Sequence, residues 1–178
     1  MSHNIPKIAL ITGASRGLGR NTAVHLARKG VDVILTYHHQ KASADEVVAE
    51  IEALGQKAFA LQLDVSDSRS FADFGARVKA LLQDKWQRDS FDFLVNNAGV
   101  GIHASFAETT EAQFDQLVNI HLKSVFFLTQ GLLSVIADGG RIVNVSTGFT
   151  RFALPGFAAD AAMKAAVEVL SKYLPKEL

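Results

Sequence analysis

The chain has no cysteine. Disulfide frameworks, thiolate metal sites and cysteine nucleophiles are therefore excluded. Three prolines among 178 residues, and no Pro/Gly/Ser-rich tract, leave nothing that marks an interdomain linker. Net charge is missing too, since 18 Lys+Arg balance 18 Asp+Glu. That excludes a nucleic-acid binder relying on a broad basic face, and an acidic disordered chain. Charged residues interrupt every apolar stretch before membrane-spanning length, and no basic segment followed by an apolar one opens the chain. His38, His39, His103 and His121 lack metal-ligand spacing, so no metal is expected. These absences point to a soluble cytoplasmic protein that engages neither nucleic acid nor membrane. Area scaling gives roughly 8,400 Å² exposed when folded against roughly 27,800 Å² extended, so about 70% is buried. That suffices for one core, and residues 1–178 read as a single domain.

What is present is an alternation of short apolar runs and longer helical patterns. The strand-like runs are Ile8–Thr12, Val33–Thr36, Ala58–Leu63, Phe91–Val95 and Arg141–Val145. Most are continuously apolar, as suits strands buried on both faces of a parallel sheet. Ser43 with Glu46, and Thr110 with Gln113, read as capping boxes. Gly30 and Gly55 are expected to stop helices before strands, and Gly139-Gly140 to stop a long helix running from Thr110 to Ala137. The resulting order predicts an α/β fold, a Rossmann-type doubly wound parallel sheet.

Thr12-Gly13-Ala14-Ser15-Arg16-Gly17-Leu18-Gly19 follows the first strand and opens a helix. Glycine there lets backbone approach a diphosphate, and a helix N-terminus offers free N–H groups and partial positive charge. Strand-to-helix turns often carry glycine without any ligand, so the turn alone is weak evidence. With Leu63-Asp64-Val65, Asn96-Asn97-Ala98-Gly99, Asn119, Ser146 and Lys164 at matching intervals, the chain resembles the short-chain dehydrogenase/reductase family. Within it, the chain is most similar to the 3-oxoacyl-(acyl carrier protein) reductase-like branch.

The resemblance implies a dinucleotide held by Gly13, Ser15, Arg16, Gly17, Leu18 and Gly19, with Asp64 and Val65 on the adenine and Asn96, Ala98 and Gly99 along the crevice. The stretch after the second strand, Tyr37-His38-His39-Gln40-Lys41, has no carboxylate to hold a free ribose hydroxyl. Tyr37 takes the acid's place, Arg16 resembles the family's contact to a 2′-phosphate, and His38 adds positive potential. NADP(H) is therefore expected over NAD(H). Solvated Arg16 and a capping role for Asp64 are the rival readings.

For catalysis the resemblance implies Ser146 on the substrate oxygen, Asn119 in a proton relay and Lys164 at the nicotinamide ribose. The family's proton-donating Tyr is replaced by Asp160. Asp160 and Lys164 lie four apart and are expected to pair, which favours an ionised carboxylate and a poor donor. Phe149, Phe152, Leu154 and Phe157 either wall a substrate pocket or pack the core. The family continues beyond the position of Leu178 with further strands and a substrate-covering loop, so the fifth strand is expected to lack an outer neighbour. The implied protein is a reductase scaffold for a small-molecule carbonyl or acyl-thioester substrate, impaired by Asp160; the alternative is a catalytically silent dinucleotide-binding or regulatory subunit. A homodimer or homotetramer through the long and final helices is also implied.

Overall fold

The computed structural model describes residues 6–178. Among these, β1 (Ile8–Ile11), β2 (Asp32–Tyr37), β3 (Ala58–Gln62), β4 (Phe91–Asn96) and β5 (Ile136–Asn144) form one parallel sheet in the order β3-β2-β1-β4-β5. The helices are α1 (Gly17–Ala27), α2 (Lys41–Ala53), α3 (Phe71–Trp86), α4 (Glu111–Leu117), α5 (Ser124–Leu132) and α6 (Ala158–Glu177). Successive strand side chains point to opposite faces, and both faces are covered. Ala9, Ile11, Val33 and Leu35 pack against Val24 and Ala27 of α1 and Val47 and Ile51 of α2. Ile8, Leu10, Ile34 and Leu94 pack against Phe74, Val78 and Leu82 of α3 and Leu128 and Leu132 of α5. Continuously apolar strands are the direct consequence of this doubly wound, Rossmann-type arrangement.

Three expectations fail locally. The segment from Thr110 is not one helix: its capping box forms, but α4 gives way to a π-helical turn, Val118–Lys123, before α5 resumes. Gly139-Gly140 does not stop a helix. The helical stretch ends in a single tight turn at Leu133–Val135, and both glycines lie within β5. There Ile136 pairs with Phe91 and Arg141 with Phe93, so β5 bulges out its extra residues between them. Ser43 is not a cap, because α2 begins at Lys41 with Gln40 before it and Ser43 lies inside the first turn.

The amino-terminal ends of the strands are fastened by two buried carboxylates. Asp92 accepts from Lys7 Nζ (2.8 Å), the Ile8 amide (2.9 Å) and Arg88 Nη1 (2.9 Å). Asp32 accepts from the Lys57 amide (2.8 Å) and from Trp86 Nε1 (2.6 Å) at the end of α3. At the opposite edge the chain leaves β1 toward β2 on one side, while β4 lies on the other. The carboxyl ends of β1 and β4 therefore flank the switch point, where such sheets open a crevice.

Candidate functional site

The glycine turn sits at that switch point, and its shape follows from two close approaches. A Cβ on Gly13 would stand 2.9 Å from Ala98 Cα, and the residue has a left-handed φ of +64°. A Cβ on Gly19 would fall 2.5 Å from Asn97 Nδ2 and 2.6 Å from the Gly13 carbonyl. Hydrogen bonds lock the turn to its neighbours. Asn97 Nδ2 donates to the carbonyls of Thr12 (2.8 Å) and Gly13 (3.1 Å). The amides of Asn97 and Ala98 both donate to Thr12 Oγ1 at 3.0 Å. The Gly13 amide donates to Thr36 Oγ1 at 3.1 Å. Arg16 then stands exposed immediately before α1.

A crevice of about 530 Å³ runs across this turn. Its walls include Ser15, Arg16, Gly17, Leu18, Tyr37, His38, Asp64, Val65, Ala98 and Gly99, as read from the sequence. His38 Nε2 lies 3.3 Å from Asp64 Oδ2, and the His38 and His39 rings stack with centroids 3.4 Å apart. Burial pushes the Asp64 carboxyl up, but the Ser66 hydroxyl and amide, with His38, outweigh it and hold it below its ordinary value. Those bonds bend the chain locally at Ser66, and Asp67, not Asp64, accepts from Arg69 at the helical turn that follows. Asn96 differs from expectation. It is buried, and its amide donates to Thr129 Oγ1 (3.1 Å) and Asn144 Oδ1 (2.8 Å), tying β4 to α5 and β5. Asn97, which the sequence reading passed over, lines the crevice instead.

A second cluster is built by the end of β5, the π-helical turn and the start of α6. Lys164 is buried and its Nζ donates to the Val145 carbonyl at 2.8 Å. The expected Asp160–Lys164 ion pair does not form, since that ammonium is turned to the strand end. Burial pushes the Lys164 pKa down, and the nearby Asp160 charge only partly opposes this. Asp160, also buried, meets His121 Nε2 at 3.4 Å. The same nitrogen lies 2.7 Å from the Val100 carbonyl and 3.4 Å from the Val100 amide, while Nδ1 is buried without a partner among the described residues. Burial first, then the Lys164 charge, pushes the His121 pKa down, against the pull of Val100 and Asp160.

Two residues assigned from the sequence make no hydrogen bond to this cluster among the described residues. Asn119 is half-buried in the π-helical turn, and its side chain makes no hydrogen bond among the described residues. His121, two residues on, is the polar side chain of that turn that reaches Asp160. The Ser146 hydroxyl donates to Glu168 Oε1 at 2.6 Å, and Thr150 donates to the same oxygen at 2.9 Å. Those two hydroxyls, Ser146 first, hold the Glu168 carboxyl below its ordinary value. Thr147, next along an extended backbone, projects to the side opposite Ser146. No group of three His, Asp or Glu side chains among the described residues could hold a metal, and no helix among them is long and apolar enough to cross a membrane.

Residues 7–178 match the short chain dehydrogenase family. The tetrahydroxynaphthalene reductase PfmaG of Pestalotiopsis fici is 37% identical over 163 residues, covering 91% of this chain and 57% of that protein. The hydroxynaphthalene reductase arp2 of Aspergillus fumigatus is 32% identical over 169 residues, covering 94% and 59%. The chain thus spans less than two thirds of the length of these relatives. Among solved structures, the landomycin C-6 ketoreductase LanV with bound NADP and rabelomycin superposes with a TM-score of 0.94 at 35% identity, covering 98% of this chain and 72% of that one. The reductase LugOII, which catalyses keto-reduction at C1 in lugdunomycin biosynthesis, gives 0.93 at 36% identity, covering 98% and 69%. A glycine turn pressed on Ala98 and Asn97, the β3-β2-β1-β4-β5 sheet and a match over nearly the whole sequence agree: this chain belongs to the short-chain dehydrogenase family.

Proposed function

We propose that the chain is the framework of an NADP(H)-dependent oxidoreductase built to reduce a ketone to an alcohol. The observation that carries this is the glycine turn, where added Cβ atoms at Gly13 and Gly19 would collide with Ala98 and Asn97, just past the end of β4, and with the turn itself. Such a cradle suits a diphosphate lying on the start of α1. Arg16 and His38 on the crevice wall, with no carboxylate at the end of β2, fit a 2′-phosphate. Tyr37, Asp64 and Val65 would hold the adenosine, while Ala98, Gly99 and Lys164 would face the nicotinamide half. When bound, the cofactor supplies a hydride. The names of the relatives, hydroxynaphthalene reductases and ketoreductases, favour a ketone on an aromatic ring system over a 3-oxoacyl thioester.

The chain's own residues would position the substrate but leave it without a good proton donor. Lys164 is fixed at the strand end by Val145 and Thr147 is the hydroxyl on the side away from Glu168, whereas Ser146 is held by that carboxylate. His121, rather than Asn119, supports Asp160. A carboxylate at 160 has neither the phenol's reach nor its proton, and loss of a general acid slows a reaction by about 10²–10⁴-fold. Ketone reduction is therefore expected to be severely impaired. The same substitution favours a second reading, a silent dinucleotide-binding or regulatory subunit. Exposed Phe126 and Phe127 on α5 and Val169 and Tyr173 on α6 support a homodimer or homotetramer, in the cytoplasm, and light scattering that shows only monomer would refute the oligomer.

Cofactor titration tests the main reading. NADPH is expected to bind more tightly than NADH, and Arg16→Ala to weaken NADPH alone by roughly 10–100-fold. Tighter NADH binding refutes the cofactor assignment. Ketone turnover by the unaltered chain at an ordinary enzymatic rate refutes the impairment. Turnover gained by Asp160→Tyr shows the rest of the site to be competent and disfavours the silent subunit.

A further inference from the structure

Beyond the glycine turn, the wall of the crevice is fastened at one place. The amides of Asn97 and Ala98 donate to Thr12 Oγ1, so the chain is pinned as it leaves β4. From Gly99 to His103 the backbone makes no hydrogen bond to other backbone among the described residues. The side chain that bonds to this stretch is that of His121, whose Nε2 stands 2.7 Å from the Val100 carbonyl and 3.4 Å from the Val100 amide. Either neutral form of the ring keeps a partner there. With its proton Nε2 donates to the carbonyl; without it Nε2 accepts from the amide.

The ring is matched to the wall in shape as well. A Cβ on Gly99 would stand 2.8 Å from His121 Cε1, so the imidazole presses on bare backbone. His121 is 3% exposed in the π-helical turn Val118–Lys123, whose Ile120 lines the crevice while His121 does not. Its Nδ1 has no partner among the described residues. A buried unpaired nitrogen costs free energy that an apolar side chain of similar size would avoid, so packing alone does not account for an imidazole here. What the imidazole adds is the bond to Val100.

We propose that His121 is the positioning residue of the Gly99–Val100 wall, setting how the crevice grips the part of a dinucleotide that lies beyond the diphosphate. The proposal rests on the crevice being a dinucleotide site and deepens that reading. His121 acts through Gly99 and Val100, which line the crevice. The adenosine end is walled by Arg16, Tyr37, His38 and Asp64, and none of these bonds to His121. Loss of the imidazole therefore loosens one end of the crevice and leaves the other intact.

The test titrates the full chain by calorimetry with NADPH and with adenosine 2′,5′-bisphosphate, which carries the adenosine end and nothing beyond its own phosphates. His121→Leu is expected to weaken NADPH by roughly 10-fold, as for one hydrogen bond lost in a buried site, and to leave the bisphosphate unchanged. His121→Gln, which keeps a donor and an acceptor near the place of Nε2, should restore most of the NADPH affinity. Circular dichroism confirms that each variant is folded. Should His121→Leu not fold, NMR of the unaltered chain takes its place: the Val100 amide and His121 ring signals are expected to shift with NADPH and not with the bisphosphate. Unchanged NADPH affinity in His121→Leu overturns the proposal, as does an equal loss for both probes or a Gln variant as weak as the Leu one. Val100 and His121 signals indifferent to NADPH overturn it too. Failure of both probes to bind the unaltered chain instead overturns the dinucleotide reading, and the proposal falls with it.

Discussion

The two edges of the sheet treat buried carboxylates in opposite ways. At the amino-terminal edge Asp92 accepts three hydrogen bonds and Asp32 two, from amides, cations and an indole. At the carboxyl-terminal edge Asp160 is nearly as buried and has one long contact. The first pair fasten neighbouring chain segments; the third fastens none among the described residues. Burial of an acid is thus no sign of its role by itself, and the donors that reach its oxygens are what make a fastener.

Stability measurements can break this comparison. Asp92→Ala leaves Arg88 and the Ile8 amide without their partner and is expected to cost about 3 kcal/mol in urea unfolding. Asp32→Ala strands the Lys57 amide and Trp86 Nε1 and should cost about 1–2 kcal/mol. Gly13→Ala forces a Cβ toward Ala98 at a left-handed φ, at about 1–2 kcal/mol. Asp160→Asn removes no hydrogen bond among the described residues and should cost less than any of these, about 0.5–1 kcal/mol. A loss at Asp160 as large as that at Asp92 would erase the distinction.

The pH dependence sharpens it. Burial pushes the Asp92 carboxyl up, but Arg88, Lys7 and the Ile8 amide outweigh it and hold it below its ordinary value. A carboxyl lowered on folding stabilises fully above its unfolded value, about 4, and that contribution is lost as pH falls through the lower folded value. The stability gap between the unaltered chain and Asp92→Asn should therefore be constant near neutrality and close in acid. A gap that widens on acidification contradicts the sign.

The strands, their alternation with helices and the glycine turn were legible because each is written in contiguous residues. The failures are places where the outcome depends on partners distant in sequence. The bulge at Gly139-Gly140 is set by pairing with Phe91 and Phe93, which no local pattern contains. A π-helical turn changes which side chain faces inward, so His121 rather than Asn119 is the side chain of that turn that reaches Asp160. The adjacent residues Asn96 and Asn97 part company at the strand end, Asn96 bonding to Thr129 and Asn144 and Asn97 lining the crevice. Asp160 was found by a spacing, but its freedom from Lys164 was not, because the Val145 carbonyl competes for the ammonium.

The most direct measurement is a crystal structure of the full chain grown with NADPH. Diphosphate oxygens should lie within hydrogen-bond distance of amides in the Gly13–Gly19 turn, with the 2′-phosphate beside Arg16. A turn without diphosphate density, or nucleotide bound elsewhere on the molecule, would contradict the assignment.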